Sequence, residues 1–258
     1  MVATPSTPDM TRMRDEAAWR ADMAAALERF RSRKPHVHCI TNIVAQTFTA
    51  NVLLAAGATP SMTINPAEIE TFAGFADAVL INLGTLDDER LVSCERAVAT
   101  CQRAGKPWGL DPVFVQASPI RQSVALDMLL SKPTLVRANK AECAVLGDGL
   151  KSQTQVLAIT GKVDQLESAE QAVSLENGAP VMDRVTAMGC ALTALAIGFC
   201  AVEEDALLGS ATALALFGVA GERAAAASNG PGSFVPSFLD ALQTLTAEHL
   251  AQHVRIVL

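Results

Sequence analysis

The segment from Arg184 to Thr193, RVTAMGCALT, combines a polar entry with a single thiol, and these residue types could bind an anionic group. Thr186 and Gly189 lead directly into the apolar run from Ala191 to Ala201, which predicts a loop that feeds the N-terminus of a buried helix. The first turn of a helix presents unpaired backbone N–H groups and about half a positive charge, so it favours a bound anion. Because Gly189 lacks a Cβ, a ligand could approach the backbone closely there.

Cys190 lies at the predicted start of that helix, where a thiol could be chemically active. A helix N-terminus favours the thiolate, so we expect the pKa of Cys190 to lie below the free value of about 8.5. A buried structural cysteine beneath a glycine turn fits the same pattern, and the segment alone leaves both interpretations open.

Polar side chains follow five of the six predicted strands at the points where those strands end. They are Thr41 and Asn42, Asn82 to Thr85, Asp111 and Pro112, Arg137 to Glu142, and Thr160 to Lys162. In an open α/β sheet, ligands bind beyond the carboxyl ends of the strands. Any one of these residues has an ordinary structural explanation, such as a helix cap for Asp111 or Asn139, but the set exceeds what scattered surface polarity supplies.

The residue types in this set suit the binding of phosphate groups and a divalent cation. Asp111 and Glu142 are hard oxygen donors of the kind that hold Mg²⁺, which usually binds one or two carboxylates together with substrate phosphates. Arg137 and Thr160 can bind phosphate oxygens, and the helix start at 187–190 can receive the charge that accumulates on a transferred phosphoryl group. The pattern therefore predicts a phosphotransferase. Because the chain contains neither a G-x-x-x-x-G-K-[ST] nor a G-x-G-x-x-G motif, a nucleotide would bind through another architecture.

Strands and helices alternate along most of the chain, which is the pattern of a parallel sheet with helices on both faces. The predicted strands are 36–40, 59–63, 78–82, 108–110, 134–136 and 156–159. The predicted helices are 19–30, 44–56, 91–101, 120–130, 141–146, the alanine-rich segments of 188–227, and 237–251. A hairpin is predicted from 171–176 and 180–183, around Asn177-Gly178. We expect one three-layer α/β/α domain over residues 1–258, with residues 1–13 disordered.

Composition argues against several classes of partner. The 258-residue chain has a net charge of −7 and no basic block, so neither nucleic acid nor an anionic membrane is expected as a partner. The six cysteines show no C-x-x-C spacing, which argues against a zinc site. No apolar run has the length of a membrane span and no secretory signal is evident, so we expect a cytoplasmic protein with reduced thiols.

Seven blocks of this sequence resemble the hydroxyethylthiazole kinases of thiamin biosynthesis and salvage. In chain order they are HCITNIVAQTFTANVLLAAGATPSM (38–62), LINLGTL (80–86), GLDPV (109–113), RANKAE (137–142), AITGKVD (158–164), MGCALTALAIGFCAVEE (188–204) and GPGSF (230–234). The resemblance implies a ribokinase-like fold and a homotrimer with active sites between subunits. It also implies transfer of the γ-phosphoryl group of ATP to the primary alcohol of 4-methyl-5-(2-hydroxyethyl)thiazole.

The resemblance further implies roles for individual residues. For the thiazole alcohol they are Met62, Asn42, Ala187 and Gly189; for ATP, Arg137, Thr160 and Asn139; for Mg²⁺ and the phosphates, Asp111 and Glu142. Cys190 stands where related ribokinase-like enzymes place an aspartate base. Because a thiol is a weaker base, we expect Cys190 to orient the alcohol and to accept its proton late in the reaction.

Three features depart from the family pattern. Ala187 stands in place of the usual glycine of a T-G-x-G-C loop, and a positive φ there would cost an alanine about 1 kcal/mol or more. Ala138 replaces the glycine of R-G-N, and the segment 143–155 is short before the next strand. Neither substitution removes a charged group, so the departures bear on kinetics and nucleotide binding rather than on the class of reaction.

Three alternatives remain open at this point. A pyrimidine kinase, a pyridoxal kinase or an ATP-dependent hydrate dehydratase would share the fold, although these enzymes typically keep aspartate at the position of Cys190. A hydrolase could pair Cys190 with His36 or His38, although both histidines lie in a predicted strand. A non-catalytic module could hold the thiazole or a nucleotide without turnover.

Overall fold

A nine-stranded sheet forms the centre of the part of the chain that is described, residues 13–258 of a computed structural model. The predicted disorder of residues 1–13 falls, apart from residue 13, outside these residues. The strands are β1 (His36–Ile40), β2 (Thr59–Ser61), β3 (Ala78–Asn82), β4 (Trp108–Asp111), β5 (Leu135–Asn139), β6 (Val156–Thr160), β7 (Asp164–Glu167), β8 (Ala172–Leu175) and β9 (Ile256–Val257). The helices are α1 (Glu16–Arg33), α2 (Gln46–Ala56), α3 (Ile69–Phe75), α4 (Asp88–Ala104), α5 (Pro119–Leu129), α6 (Lys140–Leu146), α7 (Met188–Cys200), α8 (Ala206–Ala226), α9 (Pro231–Thr244) and α10 (Ala247–His253).

The order of the strands places a topological switch at β1. The order is β2-β1-β3-β4-β5-β6-β7-β8-β9, and the pairs from β2 to β6 are parallel. Because β1 lies between β2 and β3, the sheet grows away from β1 in both directions. A crevice forms outside the carboxyl ends of the strands at such a point, and ligands bind there. The last three strands continue the sheet in antiparallel pairs at the far edge.

Two apolar clusters cover the two faces of the sheet, because successive side chains of a strand point to opposite faces. Val37 and Cys39 of β1 belong to a cluster that includes side chains of α1, α2, α7, α8, α9 and α10. Ile40 of the same strand belongs to a second cluster, with side chains of α3, α4, α5 and α6. The predicted three-layer α/β/α arrangement with a mostly parallel central sheet is therefore confirmed.

Helix α7 packs closely on the sheet through glycines on both sides of the contact. All its residues from Ala191 to Cys200 are buried. A Cβ on Gly198 would lie 3.0 Å from Val37 Cγ2, and a Cβ on Gly109 would lie 3.3 Å from Ile197 Cβ, so the two glycines allow this approach without displacement of the neighbouring side chains. The close packing on β1 and β4 holds the first turn of α7 beside the carboxyl ends of the central strands.

Several element boundaries differ from the prediction. The helix predicted over 44–56 begins at Gln46, because Asn42 Oδ1 accepts a hydrogen bond from Ala45 N at 3.0 Å and caps a turn that precedes the helix. The strand predicted over 134–136 runs to Asn139, so Arg137 lies within β5 instead of after it. The single helix predicted over 237–251 is two helices, α9 and α10.

The hairpin predicted around Asn177-Gly178 is wrong. β7 and β8 form the antiparallel pair instead, and Pro180–Arg184 is a 3₁₀ turn. Asn177 is buried, and its side chain is hydrogen-bonded to Glu222 of α8 and to the backbone of residues 253 and 255. These long-range partners hold the chain next to β9, which pairs with β8. The residues around Asn177 in the sequence do not predict them.

Candidate active site

Four polar side chains meet where the ends of β1, β3 and β4 approach the first turn of α7. Asn42 Nδ2 donates to Asn82 Oδ1 at 3.2 Å and to Cys190 Sγ at 3.3 Å. Asn82 Nδ2 donates to Asp111 Oδ2 at 2.8 Å. The structure thus brings together Asn42, Asp111 and Cys190, three of the residues that the sequence singled out.

Asp111 is a buried carboxylate with one oxygen left free. It is 1% exposed, and its Oδ2 accepts from Asn82 and lies 3.3 Å from the hydroxyl of Thr193. Its Oδ1 is buried without a hydrogen-bond partner. Burial raises the pKa of Asp111, while the nearby charge of Arg137 acts to lower it. The free oxygen is therefore a strong acceptor that the protein itself leaves without a donor.

Arg137 places a cation at the N-terminus of α7. A Cβ on Gly189 would lie 2.5 Å from Arg137 Nη1, so the guanidinium lies against this glycine, and its Nε is buried without a partner. A helix N-terminus carries partial positive charge, so a cation there is unfavourable unless an anion lies nearby. Gly189 therefore makes room for the guanidinium, and the two positive groups together favour a bound anion such as a phosphate.

Unpaired polar atoms concentrate at this edge of the sheet. Within residues 13–258, eight buried side-chain nitrogen and oxygen atoms lack a hydrogen-bond partner. Four of them belong to residues at or near the carboxyl ends of β1, β4, β5 and β6, namely Thr41, Asp111, Arg137 and Thr160. Because native proteins rarely leave buried polar groups unpaired, this concentration indicates a ligand that would pair with them.

Asn139 and Glu142 form a capping box at the start of α6, as the structural interpretation of Asn139 anticipated. Asn139 Oδ1 accepts from Glu142 N at 2.9 Å, and Glu142 Oε2 accepts from Asn139 N at 2.9 Å. Glu142 Oε1 also accepts from the backbone N–H of Phe114 at 2.9 Å, which ties the loop after β4 to β5. Each carboxylate oxygen retains a second lone pair, so Glu142 can still accept from a ligand.

The residues present fit Mg²⁺ bound together with phosphates. Among residues 13–258, no three His, Cys, Asp or Glu side chains are grouped so that they alone could hold a metal ion. Mg²⁺ does not need such a group, since one or two carboxylates suffice when substrate phosphates complete its shell. The unpaired Asp111 Oδ1 is the oxygen that fits this role most directly.

The prediction of a low pKa for Cys190 is wrong. Burial, followed by the neighbouring charge of Asp111, raises the pKa of the thiol to about 12, because the opposing effects of Asn82, Asn42 and Arg137 are too small to compensate. Desolvation of a thiolate beside a carboxylate outweighs the helix N-terminus. Cys190 is therefore a protonated thiol at neutral pH, and its sulfur accepts a hydrogen bond from Asn42.

Two alanines occupy positions where the resemblance implies glycine. Ala138 is fully buried in the extended backbone of β5, where a methyl group is accommodated without strain. Ala187 immediately precedes α7 and has φ +70°, in the left-handed region that is unfavourable for a residue with a Cβ. The positive φ that would strain an alanine at this position is therefore present.

We expect Ala187→Gly to stabilise the protein by about 0.5–1 kcal/mol, which is the strain relieved less the added chain entropy of glycine in the unfolded state. The urea midpoint would rise, with a shift of Tm by about 1–4 °C. Ala227→Gly, at the end of α8 with φ −97°, is the matched control and should bring no gain. An unchanged urea midpoint for Ala187→Gly would contradict the strain assigned to this residue.

The histidines do not pair with Cys190. His36 Nε2 and His38 Nδ1 each lie 2.8 Å from Ser61 Oγ, and His38 Nε2 lies 3.2 Å from the Thr63 carbonyl oxygen. Both histidines alternate with Val37 and Cys39 along β1, so they point to the face opposite α7. The cysteine hydrolase alternative therefore has no general base beside its nucleophile.

Met62 directly follows β2 and is half-buried against the same apolar cluster as α7. The turn after β1 leaves two apolar side chains in solvent, since Ile43 and Val44 are 61% and 64% exposed. On the opposite side of the site, the short segment 143–155 ends α6 and forms the 3₁₀ turn Asp148–Gln153, anchored by buried Leu150.

Sequence reasoning assigned no role to two residues of the site. Asn82 appears only as one of the polar residues after a strand, although it is the polar residue that ends an otherwise apolar strand. Thr193 lies three residues after Cys190 on α7, and that helical spacing is the signal that could have found it. Its hydroxyl lies 3.0 Å from the Gly189 carbonyl oxygen and reaches toward Asp111.

Comparisons with known sequences match most of the chain. The hydroxyethylthiazole kinase family matches residues 27–154 and 149–248. A protein named probable hydroxyethylthiazole kinase from Agrobacterium fabrum (strain C58) is 44% identical over 237 residues, covering 92% of this chain and 95% of that relative.

Among residues 13–258, no helix combines the length and apolar character needed to cross a membrane.

Solved structures agree with these matches. Hydroxyethylthiazole kinase protein from Pyrococcus horikoshii OT3 is 34% identical with a TM-score of 0.86, covering 91% of this chain and 98% of that chain. A ribokinase-like superfamily protein from Enterococcus faecalis V583 has a TM-score of 0.65 at 13% identity, covering 87% of this chain and 95% of that chain. The second likeness concerns the fold alone and confirms the ribokinase-like fold class.

Proposed function

The chain belongs to the hydroxyethylthiazole kinase family, and on that premise we propose that it transfers the γ-phosphoryl group of ATP to the primary alcohol of 4-methyl-5-(2-hydroxyethyl)thiazole in thiamin biosynthesis or salvage. The observation that carries the proposal is the concentration of unpaired buried polar atoms at or near the carboxyl ends of the parallel strands. Asp111 Oδ1, Arg137 Nε and Thr160 Oγ1 all lack partners there. A phosphate-bearing ligand that carries a divalent cation would supply partners for all three.

On the donor side, Arg137 and Thr160 would bind the phosphates of ATP. The guanidinium lies against Gly189 at the positive end of α7. The guanidinium and the helix N-terminus would therefore both stabilise the negative charge of the transferred phosphoryl group. Asn139 holds the start of α6 beside Arg137 through its capping box. Mg²⁺, when bound with ATP, would neutralise phosphate charge, with Asp111 and Glu142 as the carboxylates near it.

On the acceptor side, the thiazole alcohol would lie between Met62 and the first turn of α7. Met62 offers an apolar contact, and Asn42 lies within 3.3 Å of the Cys190 sulfur, so an alcohol that reaches the thiol is also beside Asn42. The backbone at Ala187 and Gly189 would form the opposite wall, where the absence of a Cβ on Gly189 leaves room for the Arg137 guanidinium. This arrangement orients the hydroxyl oxygen toward the donor side.

We expect Cys190→Ala to lower kcat by only about 10-fold, below the 10²–10⁴-fold that a general base usually contributes. The reason is that a thiol with a pKa of about 12 is already protonated and cannot accept the proton of the alcohol, contrary to the expectation from the sequence. The alcohol would lose its proton late, to an oxygen of the transferred phosphoryl group, as the new P–O bond forms and the bond to ADP breaks. Cys190→Asp, which installs a true carboxylate base, should retain or raise activity. Steady-state kinetics of the three proteins checks this, and a folded Cys190→Asp protein with no turnover would refute it.

We infer further that the protein is a homotrimer whose sites lie between subunits. Exposed Ile43 and Val44 follow directly on Asn42 of the site, and a second copy would cover them. A solution mass three times that of the chain, measured by light scattering, is the expected result.

The free state of all six cysteines supports a cytoplasmic location.

The test of the proposed function is ADP release from Mg²⁺-ATP, with and without the thiazole alcohol. Acceptor-dependent turnover is expected. Turnover with pyridoxal or a hydroxymethylpyrimidine in place of the thiazole would assign the protein to another ribokinase-like kinase. Thiazole binding by calorimetry without ADP formation would identify a non-catalytic binding protein and contradict the proposal.

A further inference from the structure

The neighbours of Asn82 fix which end of its side-chain amide is the oxygen and which is the nitrogen. It ends β3, is 2% exposed, and its Oδ1 accepts from the backbone N–H of Gly84 at 3.0 Å. Because a backbone N–H can only donate, this contact fixes the oxygen on that side and the Nδ2 toward Asp111. The orientation of the amide is therefore set by the fold before any ligand is considered.

Asn42 is oriented by the same argument. Its Oδ1 accepts from Ala45 N at 3.0 Å, so its Nδ2 must face Asn82 Oδ1 and Cys190 Sγ. The hydrogen bonds consequently run without interruption from Asp111 through Asn82 and Asn42 to Cys190. This path joins the carboxylate on the donor side to the thiol on the acceptor side.

The loop after β3 packs closely against the side-chain amides of Asn42 and Asn82. A Cβ on Gly84 would lie 2.7 Å from Asn42 Cβ and 3.0 Å from Asn82 Oδ1, so this close contact exists only because residue 84 is a glycine. Arg90, buried in the first turn of α4, donates from Nη1 to the Thr85 carbonyl oxygen at 2.7 Å and holds the loop in place. The loop that contacts the two amides is thus attached to α4.

The contact with Asn82 also decides which oxygen of Asp111 is available. Asn82 Nδ2 and the Thr193 hydroxyl both approach Oδ2, whereas Oδ1 has no partner. A carboxylate held through one oxygen cannot rotate freely, so the other oxygen keeps a defined direction.

We propose that Asn82 is a positioning residue of the phosphoryl transfer, which orients Asp111 toward the donor side and Asn42 toward Cys190 and the acceptor. This inference rests on the proposed function and adds to it a residue that couples the two halves of the site. Asn82 touches neither substrate itself, so its effect is exerted through Asp111 and Asn42.

The test uses two substitutions with different expected effects. Asn82→Ala removes all three contacts, and we expect kcat to fall about 10- to 100-fold, the usual cost of losing a partner that orients a ligating group, with a raised KM for the thiazole. Asn82→Asp keeps an oxygen toward Gly84 and Asn42 but replaces the N–H donor with a second carboxyl group, which must share a proton with Asp111 and so changes its charge and orientation. Its kcat should fall similarly while its thiazole KM stays within about threefold of wild type.

Asn177→Ala is the matched control, because Asn177 is also a buried amide that joins distant segments, but it lies far from the site at the β8–β9 edge. It should lower Tm without lowering kcat per folded molecule. If Asn82→Ala does not fold, the near-isosteric Asn82→Asp carries the test. The double variant Asn42→Ala/Asn82→Ala should have a thiazole KM no higher than that of Asn42→Ala alone, since Asn82 acts on the thiazole through Asn42.

The inference would be overturned by a kcat within threefold of wild type for both Asn82 variants, or by additive effects in the double variant, provided that wild type turns over the thiazole. A loss of kcat that merely follows a loss of Tm, as in the Asn177 control, would also overturn it. A wild-type protein without thiazole-dependent turnover would overturn the proposed function and, with it, this inference.

Discussion

Asp111→Asn is expected to lower kcat by about 10³-fold, at the upper end of what removal of one active-site electrostatic contact costs. The amide has the size of the carboxylate and can still accept from Asn82 through its oxygen, so the fold around β4 is preserved. What disappears is the negative charge at the unpaired Oδ1, the atom best placed to face a cation and the phosphates. Steady-state kinetics with Mg²⁺-ATP and the thiazole alcohol measures the loss.

The same substitution is expected to raise Tm at pH 7. Burial raises the pKa of Asp111 in the folded state above its value in the unfolded chain, so ionised Asp111 destabilises the fold once the pH exceeds the unfolded value of about 3.9. The asparagine removes this penalty, and the difference from wild type should shrink as the pH falls toward that value. A gain of stability coupled to a loss of activity is typical of functional groups held in a costly environment.

Asp127→Asn, on the exposed face of α5, is the control for Asp111→Asn and should change neither kcat nor Tm. If Asp111→Asn retained activity within tenfold of wild type, Asp111 would not be the carboxylate of the donor side. A lowered Tm at pH 7 would show that the ionised carboxylate stabilises the free protein, contrary to its raised pKa.

Arg137→Met is expected to lower kcat/KM for ATP by about 10²–10³-fold, since removal of a cation that stabilises a transferred phosphoryl group can cost this much or more. Methionine keeps most of the apolar stem of arginine but has no charge and no donor. The anion site at the start of α7 would then depend on backbone N–H groups and the helix terminus alone. Initial rates at varied ATP, with saturating thiazole, measure the effect.

Two further substitutions test whether the effect of Arg137→Met is specific to the phosphate site. Arg103→Met removes a guanidinium from an exposed ion pair with Glu70 and should leave ATP kinetics unchanged. Gly189→Ala places a methyl group where Arg137 Nη1 lies, so it should displace the guanidinium and raise the KM for ATP with little loss of stability. Wild-type ATP kinetics in Arg137→Met would contradict the assignment of this residue to the phosphates.

Much of the site could be predicted because it depends on short-range features of the chain. Asn42, Asp111 and Thr160 follow or end apolar strands, and parallel strands bring their carboxyl ends to one edge of a sheet. The start of α7 was visible in the change from polar residues to an unbroken apolar run. The roles of these residues as ligands of ATP, Mg²⁺ and the thiazole stay predictions that the experiments above address.

Other expectations failed because they depended on neighbours that are distant in sequence. The pKa of Cys190 followed from its burial beside Asp111, not from its place at a helix start. The Asn177-Gly178 pair had the local signature of a hairpin turn, but bonds to Glu222 of α8 and to the backbone near β9 outweighed it. Local patterns carry no information about such partners.

The sequence by itself determined the alternation of strands and helices, the edge of the sheet that carries the polar groups, and the family. The first two features follow from hydrophobic periodicity and turn chemistry, which act over a few residues, whereas the family follows from the resemblance of seven blocks of the sequence. Only the tertiary structure decided that Asn82 links Asp111 to Asn42, that the histidines face away from Cys190, and that the thiol stays protonated. The physical reason is that orientation, hydrogen-bond partners and desolvation depend on which distant segments pack together.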